Sequence, residues 1–155
     1  MALKGKSTKT NYPFIPVEER ENTQNPTVFW IKPKNIEGLN EFLEKSDRAR
    51  EPQRLGRQPI YNSKKQTEVD VKDFMEICNK VENYQFSIDY EDLAKRGIIR
   101  EVTDKNDLRL LALDLDPIVF REVQNAVSSW DELSKGELAY ETFKKLSEPK
   151  KDAKA

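Results

Sequence analysis

Histidine is missing from this chain, and cysteine occurs once, at Cys78. Without imidazole, the commonest general base is gone, together with Ser-His-Asp and Cys-His nucleophile systems and His-based metal sites. One thiol cannot build a zinc cluster. Cys78 could act as a lone nucleophile, but it falls on the apolar side of a predicted helix, where a thiol is buried and inert. Gly5, Gly38, Gly56, Gly97 and Gly136 are scattered, so there is no phosphate-cradling loop and no dinucleotide fingerprint. Carboxylate pairs remain. Asp104 with Asp107, and Asp114 with Asp116, could share acid–base work, yet both pairs stand where a helix start wants a cap. A calcium loop needs oxygens at alternate positions, a central glycine and a closing Glu. Asp104-Lys105-Asn106-Asp107-Leu108 supplies no such series. These residues point away from an enzyme and imply no metal and no cofactor.

The remaining chemistry is charge. Lys45–Lys65 carries seven Lys/Arg against two Asp/Glu, and Glu68–Asp92 carries eight Asp/Glu against two Lys. Within the basic stretch Arg48, Arg50, Arg54 and Arg57 are closely spaced, and Tyr61 could stack on a base. Acidic residues interrupt it, however, and the net charge of the chain is −1. The stretch therefore reads as a solvated loop or a surface for an acidic protein partner, rather than as a nucleic-acid site.

The elements that must position these residues follow from periodicity. The 155 residues suit one domain. No apolar run approaches the roughly 20 residues that span a bilayer, and a chain with one cysteine suits a reducing cytoplasm. Residues 1–25 read as a flexible polar arm around Tyr12-Pro13-Phe14-Ile15-Pro16-Val17. That apolar peptide is either a strap on the protein's own core or a partner-binding segment. Thr27–Lys32 is the best strand, and Pro26 and Pro33 favour an edge position for it. Asn35 can cap a helix carrying Ile36, Leu39, Phe42 and Leu43, which fades near Arg48–Arg50. Pro52–Lys65 reads as a loop.

A second helix is expected from about Gln66 to Asn83, with Val71, Phe74, Met75, Ile77, Cys78 and Val81 on its apolar face. Short strands follow near 84–88 and 98–102. Between them Asp89 caps a brief helix that Gly97 stops. Asp104 opens a helix over Leu108–Leu115, and Asp116-Pro117 opens another through Val119, Phe120, Val123, Ala126, Val127 and Trp130. Ser134 and Glu137 form a capping box for a last helix with Leu138, Ala139, Phe143 and Leu146, closed by Pro149. The expected fold is mainly α, a single small domain over 26–147 with five to six helices, a minor β element, flexible termini and a disordered tail at 148–155.

Two stretches resemble small tailed-bacteriophage proteins of the tail gene cluster, the tail assembly chaperones. The first is Asn25-Pro26-Thr27-Val28-Phe29-Trp30-Ile31-Lys32-Pro33 before a helix. The second is Gly97-Ile98-Ile99-Arg100-Glu101-Val102, then Asp107-Leu108, Leu115–Val127 and Leu133-Ser134. The resemblance spans roughly residues 25–138. It implies a helical adaptor in the host cytoplasm that keeps tail tube or tape-measure protein soluble during assembly, with self-association as a further option. The alternatives are a structural virion component, such as a head–tail joining or tail-completion protein, and a nucleic-acid-associated regulator. For a protein-binding role the candidate contacts are Tyr12, Phe14, Ile15, Val17, Phe29 and Trp30, by strand addition at an edge, together with Arg48, Arg50, Arg54, Arg57 and Tyr61.

Overall fold

A computed structural model of the chain describes residues 5–50 and 63–147. The described residues form strands β1 (Tyr12–Phe14), β2 (Val28–Ile31), β3 (Cys78–Gln85) and β4 (Ile98–Val102). The helices are α1 (Ile36–Arg50), α2 (Ser63–Ile77), α3 (Glu91–Ala94), α4 (Lys105–Asp114), α5 (Pro117–Ser128) and α6 (Trp130–Ser147). A single 3₁₀ turn covers Val17–Glu19. The protein is thus helix-dominated with a minor sheet, as its sequence pattern implies. The first four residues, 51–62 and 148–155 lie outside the described residues, and with them most of the predicted basic loop and the predicted tail.

The sheet runs β1-β2-β3-β4, antiparallel throughout. Val28-Phe29-Trp30-Ile31 is β-branched and aromatic, which suits a pleated surface. Contrary to the edge position expected for it, β2 is central, with β1 on one side and β3 on the other. Its prolines do not oppose this: Pro26 and Pro33 stand outside the paired residues, so no ladder N–H is lost. The proline that does sit in a strand is Pro13, in edge strand β1, where a missing donor is tolerated. Tyr12–Phe14 pairs with Ile31–Phe29, so the apolar peptide of the arm is the strap and not a free segment.

The largest departure from the sequence pattern is the end of α2. Helix was expected to run to Asn83, but α2 stops at Ile77 and Cys78 opens β3. The register explains the false signal. Phe29 pairs with Val81 and Trp30 with Lys80, but Ile31 pairs with Cys78, which leaves Asn79 as a bulge. Cys78 and Val81, three residues apart, are therefore both buried, a spacing that reads as helical. Asn83 then adopts φ 58°, uncommon outside glycine and tolerated by asparagine. Its side chain donates to Pro26 O at 3.0 Å, and Thr27 Oγ1 donates to Asn83 O at 2.7 Å.

The helix starts follow short-range chemistry. Asn35 Oδ1 accepts from Gly38 N at 2.9 Å and caps α1. Asp104 accepts from Asn106 N and Asp107 N, and Asp116 from Ile118 N with Pro117 beginning α5. Gly97 ends the α3 region at φ 68°. Two expected starts are misplaced. No side chain caps α3, so Asp89 is not its cap. α6 begins at Trp130, four residues before Ser134, because Ser129 is the sole break after α5 and Leu133 N already donates to Ser129 O at 3.1 Å. That earlier start buries Leu133 completely and lets Trp130 Nε1–H reach Lys34 O at 3.2 Å.

The core is aromatic. Phe29 meets Phe74 edge-on at 6.3 Å, and Phe74 stacks on Phe120 at 5.6 Å, which ties β2 to α2 and α5. Phe14 is fully buried beside Gly136 of α6. Ile15 N donates to Gly136 O at 3.4 Å, so α6 covers the free edge of β1. Among the described residues, no helix is long and apolar enough to cross a membrane.

Candidate protein-binding surface

The structure spreads the predicted contact residues apart. Phe14, Ile15 and Phe29 are buried in the core and cannot meet a partner. Tyr12 is half-buried against the core, with Lys6 Nζ 5.1 Å from its ring centre. Trp30 points away from Phe29, as alternation demands. It is covered by α6 and not by the arm. Tyr140 lies edge-on at 5.4 Å, Lys80 Nζ sits 4.8 Å from the indole, and Nε1–H donates to Glu82 Oε1 at 2.6 Å. Of the arm's described apolar residues, Val17 alone is exposed, and its N–H is taken by Glu122 at 2.8 Å.

Arg48 is exposed on α1 and paired to Glu44 at 2.5 Å. The side chain of Arg50, with Arg54, Arg57 and Tyr61, lies outside the described residues. The strand-addition role expected of Phe29 and Trp30 is corrected by the topology, since β2 has a neighbour on each side.

The reactive candidates take structural positions. Cys78 is 1% exposed, and burial pushes its thiol up to about 12. Asp104 and Asp116 cap helices, as described. Asp114 instead clamps the turn after β3: Tyr84 Oη donates to it at 2.7 Å, Ser87 N at 3.0 Å, and Ser87 Oγ joins them. Burial first, then the Asp114 carboxylate, holds the Tyr84 phenol above its ordinary value. Among the described residues, no three His, Cys, Asp or Glu side chains come together as a metal site.

Two open features were not singled out by the sequence. The first is a cleft of about 790 Å³ between α1 and α2. In it Lys34 Nζ lies 2.6 Å from Asp73 Oδ1 and 3.9 Å from the centre of the Phe42 ring. Burial holds the Asp73 pKa above its ordinary value against the hydrogen bond and charge of Lys34, and among the described residues Oδ2 is buried with no hydrogen-bond partner. The lining mixes lysines, one arginine and acids in nearly equal number, so it selects neither sign of charge.

The second feature is a recess of about 350 Å³ along the second half of α6. It is walled by Leu138, Ala139, Phe143 and Leu146 and faced by Arg20 and Thr23. Leu138 is 62% exposed and Leu146 65%. The sequence pattern names these leucines among the apolar residues of the last helix. In the structure Leu133 and Gly136 of the first half of α6 are buried and Tyr140 packs on Trp30, while Leu138 and Leu146 stand in the open. Leu138 and Leu146, eight residues apart on one stripe, were the available signal. Comparison with protein-family models, with curated proteins and with solved structures finds no match to this chain.

Proposed function

We propose that this chain is a non-enzymatic adaptor that binds another protein, and that it keeps a tail tube or tape-measure protein soluble while a phage tail assembles. The observation that carries the binding half of this reading is the α6 recess. Two leucines exposed beyond 60% beside Phe143, in a groove free of acid–base pairs, suit an apolar side chain of a partner. The polar groups that could react are engaged instead in capping, in clamping a turn, or in burial. The tail half rests on the resemblance carried by Asn25–Pro33 and Gly97–Ser134. A charged exterior supports it as well, since an adaptor that shields apolar subunits must itself stay in solution.

The test is co-expression with phage tail tube and tape-measure proteins, followed by pull-down and a solubility assay. One of the two should co-purify and lose solubility when this chain is withheld. Replacing Leu138 and Leu146 together by Glu should abolish capture. If neither protein is retained, the reading fails. Stoichiometric presence in purified particles would replace it with a structural virion role.

A further inference from the structure

The sheet has one unfinished side. α6 covers the edge of β1, but β4 pairs only with β3, and among the described residues no backbone bond outside the sheet reaches Ile98–Val102. Such a row of free N–H and C=O groups is a template for another strand unless its side chains forbid it.

On β4 the side chains select instead. Val102 is buried opposite Val81, and Ile98 is 47% exposed. Between them stand Arg100 and Glu101, both exposed and, among the described residues, neither in an ion pair. Glu101 lies directly opposite Glu82, an unfavourable pairing of like charges. Glu82 is already held by Trp30 Nε1 and by Lys80 at 3.6 Å, so it has little to offer a third group. The anion that lacks a counter-charge is Glu101.

A second copy that pairs within Ile98–Val102 cannot supply it. Two antiparallel edge strands related by a two-fold axis set opposite each other residues whose numbers sum to an even value. A register centred on Arg100 opposes Arg100 to itself, and one centred on Glu101 opposes two carboxylates. A register centred on Ile99 sets Arg100 against Ile98 and Glu101 against Gly97, with no charge pair. Self-pairing confined to Ile98–Val102 therefore leaves Glu101 without a counter-charge, which a different chain can supply.

We propose that β4 binds an extended segment of another protein by antiparallel strand addition, with the order apolar, basic, acidic, apolar. The apolar ends lie opposite Val102 and Ile99, the basic residue opposite Glu101 and the acidic residue opposite Arg100. This surface is separate from the α6 recess and does not depend on it.

The experiment uses the full chain and two fluorescein-labelled peptides, threonine-flanked, with cores Ile-Lys-Glu-Val and Ile-Glu-Lys-Val. Anisotropy should show the first binding at least about tenfold more tightly, as two inverted cross-strand charge pairs imply. Its binding should slow amide exchange within 98–102. The double variant Arg100→Glu with Glu101→Arg, at exposed positions and checked by circular dichroism, should reverse the preference, while Leu138→Glu with Leu146→Glu should leave it unchanged. The proposal is overturned by equal affinities, by no binding at about 1 mM peptide, or by dimerisation of the unmodified chain that protects 98–102.

Discussion

A methyl group has no room at Gly136: a Cβ built there falls 2.0 Å from Cδ2 of Phe14, whose ring is fully buried. Alanine is the better helix former, so in open space Gly136→Ala would stabilise α6 by up to about 1 kcal/mol. Here overpacking wins, and a net loss of about 1–3 kcal/mol is expected in urea unfolding. Phe14→Leu should recover part of that loss in the double variant. Cys78 yields a prediction of another kind. The folded protein keeps this thiol protonated up to about 12, whereas the unfolded chain loses the proton near about 8.5. The folded state therefore holds the proton more tightly. Its contribution is complete below the unfolded value and is lost as pH rises through the folded one. The stability gap between the wild type and Cys78→Ala should narrow between pH 7 and pH 10.5, and the native thiol should resist aromatic disulfide reagents until the protein unfolds. At this scale the sequence was informative about types but not about neighbours. The apolar run containing Phe14 and Ile15 was visible, but the choice between strap and free peptide depended on α6, more than a hundred residues away.

Elements whose starts rest on adjacent residues were legible. Asn35, Asp104 and Asp116 each bond an N–H two or three positions on, a relation that a linear reading can find. Elements decided by distant pairing were not. The bulge at Asn79 places Cys78 and Val81 inward at a helical interval, and only the partner strand reveals it. The binding between α2 and α5 was equally hidden. Asp70 is buried, and its Oδ1 accepts from Gln66 Nε2 at 3.1 Å and Gln124 Nε2 at 3.2 Å. Its Oδ2 meets Arg121 Nη2 at 3.2 Å. Nothing in the spacing of 70, 121 and 124 announces that network. Asp70→Ala would leave the Gln124 amide without its acceptor, and a loss of about 1–3 kcal/mol is expected in chemical denaturation. Asp70→Asn, which keeps an acceptor oxygen, should lose less.

For the molecule as a whole, helix content and the minor sheet followed from patterning, while the order of the strands and the location of the open surfaces did not. Of the apolar contact residues expected from the sequence, folding buries Phe14, Ile15 and Phe29, half-buries Tyr12 and Trp30, and leaves Val17 exposed. Among the surfaces that stay open are a stripe of leucines on α6 and one strand edge. Leu138→Glu with Leu146→Glu should therefore separate folding from binding. At sites this exposed the melting temperature should barely move, with stability changed by within about 0.5 kcal/mol at each position, while partner capture is lost. A large fall in stability would instead mean that the stripe is closed by the protein itself.

The contact between Gly136 and Ile15 also sets a schedule for biosynthesis. β1 emerges from the ribosome early, and the helix that shields it is the last described element to be made. During the interval a nascent chain offers unsatisfied backbone on two flanks where the finished protein offers it on one. Slowing translation after α5 should increase the fraction that sediments with chaperones, and supplying α6 as a separate peptide should lower it.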